Sequence, residues 1–290
     1  MKLLSVWGVQ LRVNGLFVLL LLGLAWADRL VESLIVFTIV TLHEFGHVVA
    51  AKGCGIDVQE VELLPFGGVA RMEGLLETDP TVETTVALAG PLTNVVLMVF
   101  GAFVWRWHIF PEPSVLFFIG ANAAVCCINL VPALPLDGGR LYRAYRSRHV
   151  GFRRATTEAV RIGRVLAVVL VSAGAVLLYV GVTSVTLLVL GVFVYIAAGK
   201  EQETAAYTFM AHLARKQEEL GKYGCMGVET LAATQDATLK QVLERFMPQK
   251  YHVVWIVDEE GRLIGVASER DVLDALFENG PDLPVKSIAQ

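Results

Sequence analysis

Charge is what this 290-residue chain has little of: 18% of its residues are Asp, Glu, Lys or Arg, where a soluble domain carries about 25%. Cysteines are few and unpaired in pattern. Cys54, Cys126, Cys127 and Cys225 form no C-x-x-C motif, which argues against a disulfide framework. Cys126 and Cys127 lie side by side in an apolar stretch and read as small hydrophobes. Basic excess is absent too: 24 Lys and Arg stand against 28 Asp and Glu, a net charge of −4, so nothing points to a nucleic-acid partner. No inverted repeat relates one half of the chain to the other, which argues against a transporter built from two such halves.

What is present is apolar. Hydrophobic residues make up 55% of the chain and the mean hydropathy is +0.58, the composition of a membrane protein with room for one further small domain. Six segments approach the length needed to span a bilayer, about residues 13–27, 30–51, 82–107, 114–134, 163–182 and 184–199. Lys2, the run Leu16–Leu24 and Ala25-Trp26-Ala27 resemble a signal peptide, but an uncleaved first helix agrees better with the orientation. Eight arginines between Arg140 and Arg164 mark that loop as cytoplasmic. Counting back places residues 52–81 and the N-terminus inside, and everything after residue 200 inside as well.

Against this background residues 41–50, TLHEFGHVVA, stand out. Ionisable groups at membrane depth are costly and mark function. His43 and His47 are four apart, on one face of a helix and one turn from each other, within reach of a single zinc ion. Glu44 beside them can take a proton from a water that the metal activates, and Gly46 lets another backbone approach. A catalytic zinc site needs a third protein ligand. His108 falls at the opposite face of the membrane, His149 in the basic loop, His212 and His252 in the tail, and Glu32 at the outer end of segment two. Asp137, in NLVPALPLDGGR, follows segment four on the cytoplasmic side, at the depth of His43 and His47. Pro132 and Pro135 with Gly138-Gly139 break the helix there and free the backbone to turn the carboxylate inward.

Residues 57–74 alternate apolar and polar positions around Pro65-Phe66-Gly67-Gly68 and read as a β-hairpin. It is either an ordinary surface hairpin or one whose edge strand grips an extended peptide by its backbone. Residues 200–223 read as a polar connecting helix. Residues 236–277 read as helix, strand, strand, helix, with Asp236 capping the first helix, HVVWIV and RLIGVA as the strands, and ERDVLDALF as the last helix.

HEFGH, AGPLTN at residues 89–94 and NLVPALPLDGG at residues 129–139 together resemble the site-2 proteases, intramembrane zinc metalloproteases. The resemblance implies that His43, His47 and Asp137 bind Zn2+ and that Glu44 is the catalytic base. Asn129 would hold substrate or stabilise the oxyanion, and the hairpin would be a substrate-contacting membrane loop. In the tail, GVASERD resembles a CBS domain, which implies an adenine nucleotide such as ATP, with its ribose on Asp271 and a phosphate on Ser268. Ser268 is an N-cap in either case. CBS units work in pairs and one is found here, so pairing of two chains through this domain is expected. The sporulation-type subgroup, which processes a membrane-tethered sigma-factor precursor under the control of inhibitory membrane partners, shares this layout.

The expected architecture is an α-helical polytopic membrane protein of six transmembrane helices with a β-hairpin membrane loop, followed by a small α/β CBS domain. Its boundaries are 1–199 for the transmembrane metalloprotease domain, 200–223 for the connecting helix and 224–290 for the CBS domain. The expected function is cleavage of a membrane-tethered protein in the cell membrane, with nucleotide regulation. The rival readings are a CBS-regulated transporter or channel, which a metal-uptake assay would separate, and an inactive scaffold, against which the intact H-E-x-x-H and Asp137 argue.

Overall fold

A computed structural model describes residues 2–6, 9–13, 30–56, 58–64, 67–72, 79–181, 185–247 and 250–290. The first expected membrane segment falls almost wholly outside them. Among the described residues, five helices are long and apolar enough to cross a membrane: α1 (Leu30–Gly53), α2 (Pro80–Arg106), α3 (Glu112–Asn129), α5 (Phe152–Tyr179) and the first part of α6 (Val185–Tyr223). Their outward faces carry exposed large hydrophobics such as Val96, Val99, Phe100, Val168 and Val176. In water such surfaces are unfavourable; in lipid they are the solvent-facing side, and helices satisfy their own backbone bonds there. The chain is a multi-pass membrane protein.

The helix ends follow local chemistry. Asp79 caps α2 by accepting from the Thr81 and Val82 amides at 2.7 and 3.4 Å, with Pro80 in the first turn, where its missing N–H leaves no bond unmade. Helix α3 ends at Asn129, short of the expected 134, because the residues preceding Pro132 and Pro135 are pushed out of helical geometry. Helix α4 (Asp137–Val150) starts directly at Asp137. Helix α5 begins at Phe152 rather than 163, since hydropathy marks the apolar stretch and not the helix end. Segment six and the connecting helix are one element, α6; no proline interrupts them.

The chain divides into two compact units, residues 1–142 with 159–198, and residues 143–158 with 199–290. In the first unit, α1, α2 and α3 pack on one another. A four-stranded sheet accompanies them, made of β1 (Lys2–Val6), β2 (Val9–Val13), β3 (Val58–Leu64) and β4 (Gly67–Met72). Its order is β1-β2-β3-β4, with β2 and β3 parallel and the other pairs antiparallel. The expected hairpin is β3–β4; β1 and β2 extend it by two strands that the sequence pattern did not suggest. Strand β4 is an edge of the sheet and lies against α1.

In the second unit, β5 (Val228–Thr234), β6 (Tyr251–Val257) and β7 (Leu263–Ser268) form a three-stranded sheet, with β5 parallel and β7 antiparallel to β6. The short α7 (Leu239–Leu243) and α8 (Glu269–Asn279) pack with it. The α7 cap is Thr238, in a reciprocal capping box with Gln241, not Asp236. A hydroxyl two residues later reaches the N3 amide, and Asp236 instead lies 3.6 Å from Lys286. The core of this unit includes Phe152, Ala205 and Phe209 beside Phe246, Val254 and Ile256, with Phe152 and Phe209 stacked at 6.2 Å. Lys216 of α6 is buried in the same unit, bonded to both carboxylate oxygens of Glu269 at 3.0 and 3.1 Å.

Candidate metal centre

His43 and His47 lie on one buried face of α1, and Asp137 at the start of α4 comes to meet them. His43 Nε2 is 3.1 Å from Asp137 Oδ2, His47 Nε2 is 3.2 Å from the same oxygen, and the two imidazole nitrogens are 3.2 Å apart. Three donor atoms thus form a nearly equilateral triangle. A tetrahedral zinc at about 2.0–2.1 Å from its ligands sets them roughly 3.3–3.4 Å apart, so the triangle has the right size.

The proton positions make the case stronger. His47 Nδ1 is 2.7 Å from the Val86 carbonyl, which can only accept, so Nδ1 carries the hydrogen and Nε2 presents its lone pair. His43 Nδ1 is 2.5 Å from Asn94 Oδ1, on the side away from Asp137. Two lone pairs and a carboxylate oxygen facing one another within hydrogen-bond distance repel unless a cation sits among them. Two imidazoles and one carboxylate with an open fourth position are the donor set of a catalytic zinc site, and the residues fit the ion.

Glycines bring the helices close enough. A Cβ on Gly90 of α2 would stand 2.6 Å from His47 Cε1 and 2.7 Å from His43 Cε1; only hydrogen fits there. Gly46 does the same for α1, where a Cβ would run into the Thr93 hydroxyl and lie 3.0 Å from the Ala89 carbonyl. Around Asp137 the glycines act differently from the sequence expectation. Gly138 and Gly139 lie inside α4 and do not break it. They let the preceding loop fold back, since a Cβ on Gly139 would stand 2.6 Å from the Ala133 carbonyl oxygen. The loop is further held by the Leu134 amide, which donates to the Ala159 carbonyl of α5 at 3.3 Å.

Glu44 is half-buried and within electrostatic range of His43, His47, Asp137 and Arg140. Asn129 ends α3 with its Nδ2 3.4 Å from His43 Nε2, so an amide donor faces the same spot. The structure therefore brings together His43, Glu44, His47, Asn129 and Asp137. Asn94 and Asn122, two fully buried amides behind His43, were missed as site residues. The available signal was the one that exposed His43: a polar side chain in a membrane segment needs a reason.

Ser268 and Asp271 sit in the second unit as a reciprocal cap of α8. The Ser268 hydroxyl and amide donate to Asp271 Oδ2 at 2.6 and 2.8 Å, and the Asp271 amide donates to the Ser268 hydroxyl at 3.2 Å. Asp271 Oδ1 accepts from Gln290 Nε2 at 3.2 Å. The outward sheet face there leaves Trp255 and Leu263 exposed, with Val253 and Val266 half-buried.

Comparison with known proteins shows similarity to zinc metalloproteases and to CBS domains. The peptidase family M50 profile matches residues 31–109 and the CBS domain profile matches residues 226–278. A zinc metalloprotease of Methanocaldococcus jannaschii is 28% identical over 281 residues, covering 91% of this chain and 76% of that protein. Stage IV sporulation protein FB of Bacillus subtilis is 25% identical over 266 residues, covering 90% of this chain and 89% of that protein. Among solved structures, the site-2 protease from Methanocaldococcus jannaschii matches with a TM-score of 0.56 and 27% identity, over 70% of this chain and 94% of that one.

Proposed function

The chain belongs to the site-2 protease family of zinc metalloproteases, and from that premise we propose that it hydrolyses a peptide bond in or near the transmembrane segment of a membrane-tethered protein. The observation that carries this reading is the convergence of His43 Nε2, His47 Nε2 and Asp137 Oδ2 at 3.1–3.2 Å, among helices apolar enough to span a bilayer.

His43, His47 and Asp137 would hold the zinc ion. When bound, zinc supplies Lewis acidity that makes water a nucleophile at neutral pH and polarises the scissile carbonyl. Glu44 takes the proton from the attacking water and delivers it to the leaving amide nitrogen, the general-base and general-acid roles of one carboxylate. Asn129 donates from Nδ2 to the carbonyl oxygen as negative charge develops there. A helical substrate hides its peptide bonds behind its own hydrogen bonds and must unwind. The edge strand β4 offers backbone partners that replace those bonds for an extended segment.

The arginines between Arg140 and Arg164 support an orientation with that loop and the tail in the cytoplasm. For the tail, a nucleotide ribose hydroxyl would replace Gln290 on Asp271 Oδ1, and the open face around Trp255 and Leu263 favours pairing of two tails. Sporulation-type resemblance makes a membrane-tethered sigma-factor precursor the first substrate to try, with inhibitory membrane partners as regulators. The test is co-expression with candidate membrane-tethered substrates. Wild type should release a soluble fragment and Glu44→Gln should release roughly 10²–10⁴-fold less. Equal release by both would remove Glu44 from the mechanism.

A further inference from the structure

The geometry points to Asn94 and Asn122 as positioning residues that lock His43 in the metal-binding tautomer, an inference that rests on the metal-site reading above. Both side chains are fully buried, Asn94 on α2 and Asn122 on α3. Amides inside apolar helices are costly unless every polar atom is used.

Their orientations are dictated by a backbone group at one end. The Phe118 carbonyl can only accept, so the Asn122 amide that lies 2.9 Å from it must be Nδ2. That turns Asn122 Oδ1 toward Asn94, where it accepts from Nδ2 at 3.0 Å. Asn94 Oδ1 is then left to accept from His43 Nδ1 at 2.5 Å. The sense of the whole chain runs one way, from Phe118 to His43. It places the hydrogen of His43 on Nδ1 and its lone pair on Nε2, toward Asp137 and His47.

His47 gets the same result more simply, because its Nδ1 meets the Val86 carbonyl directly. Among the described residues no backbone carbonyl serves His43 in this way, and two side chains relay one instead. One ligand is thus oriented by main chain, the other by residues that substitution can change. Hydrogen-bond partners behind metal-ligating histidines typically contribute 10–100-fold in metal affinity.

The rival explanation is that the two asparagines merely tie α2 to α3. Zinc affinity, measured by chelator competition on the full-length protein in detergent, separates the two, with melting of the metal-free protein as the structural control. Asn94→Leu, similar in volume and without an acceptor, should bind zinc 10–100-fold more weakly. Asn94→Asp restores an acceptor for His43 Nδ1 and should bring affinity back to within a few-fold of wild type. Asn122→Leu, which does not touch His43, should weaken zinc binding less than Asn94→Leu, because the Asn94 amide loses the partner that orients it; it gives an independent readout should Asn94→Leu not fold. Wild-type zinc affinity in Asn94→Leu, or in Asn122→Leu where the former does not fold, overturns the inference, as does an Asn94→Asp variant no better than Asn94→Leu. A wild-type protein that binds no zinc overturns the metal-site reading itself.

Discussion

Adding one methyl group at Gly90 should disable the metal centre without unfolding the protein. A Cβ there would lie 2.6 Å from His47 Cε1 and 2.7 Å from His43 Cε1, whereas ordinary contact begins near 3.4 Å. His47 Nε2 would be met more closely still, so one or both rings must retreat by at least about 0.8 Å, or α2 must back away by as much. Metal–ligand distances tolerate only about ±0.2 Å. Backing away would open the close contact that Gly46 of α1 makes with Ala89 and Thr93 of α2 and forfeit its packing. Overpacking of this size costs about 1–3 kcal/mol, which a membrane bundle survives, while a misplacement near 1 Å at a reaction centre costs on the order of 10²-fold in rate. Gly90→Ala should accordingly purify folded, hold substoichiometric zinc, and cleave at about 1% of the wild-type rate. The control is Gly120→Ala on α3, where nothing lies within 4 Å of the added carbon; it should match wild type in both measurements. Zinc content by mass spectrometry of the metal and fragment release from a co-expressed substrate are the two assays. Full zinc occupancy and full turnover in Gly90→Ala would refute the close packing of α2 on the histidines.

Acid should loosen the second unit through Glu269. Burial pushes its carboxyl up, but the hydrogen bond from His252 and the adjacent Lys216 charge outweigh that and hold it below the ordinary 4.5. Its folded pKa is thus below its unfolded one, so the ionised form's stabilisation is complete above about 4.5 and is lost as pH falls through the folded value. Melting followed against pH should show this loss below about 4.5 and lose it in Glu269→Gln; an acid-insensitive wild type would contradict it. Lys216→Met leaves the buried carboxylate without its ammonium and should destabilise the unit by about 3–5 kcal/mol, read as a lower melting temperature. An impermeant maleimide should label the exposed Cys225 only after cells are opened, and labelling of intact cells would reverse the proposed orientation. Calorimetry with ATP should show binding to the full-length protein that Asp271→Ala weakens tenfold or more, and no heat with wild type would leave the tail as a docking module rather than a nucleotide sensor.

The parts of this molecule that were legible in its sequence are those whose signal is local. Two histidines four apart need no tertiary information to share a face, and β6, β7 and α8 follow alternating and helical patterns closely. Asp137 was reachable because membrane topology reduces a three-dimensional question to one of depth. What escaped depends on partners distant in the chain. Strands β1 and β2 are five residues each; β2 gains its place from pairing with β3, some fifty residues away, and β1 pairs in turn with β2. Phe152 and Phe209 look like ordinary apolar residues of two helices, and only the folded structure stacks them within the tail's core. The glycines after Asp137 suggest a helix break, because a sequence shows their flexibility but not the backbone that crowds them.

X-ray absorption at the zinc edge of the purified, zinc-loaded protein tests the metal centre most directly. Wild type should bind one zinc per chain, with nitrogen and oxygen neighbours at about 2.0–2.2 Å, the multiple-scattering signature of two imidazoles, and no sulfur. Asp137→Ala should lose the metal. A sulfur shell near 2.3 Å, or full zinc occupancy in Asp137→Ala, would contradict His43, His47 and Asp137 as the ligand set.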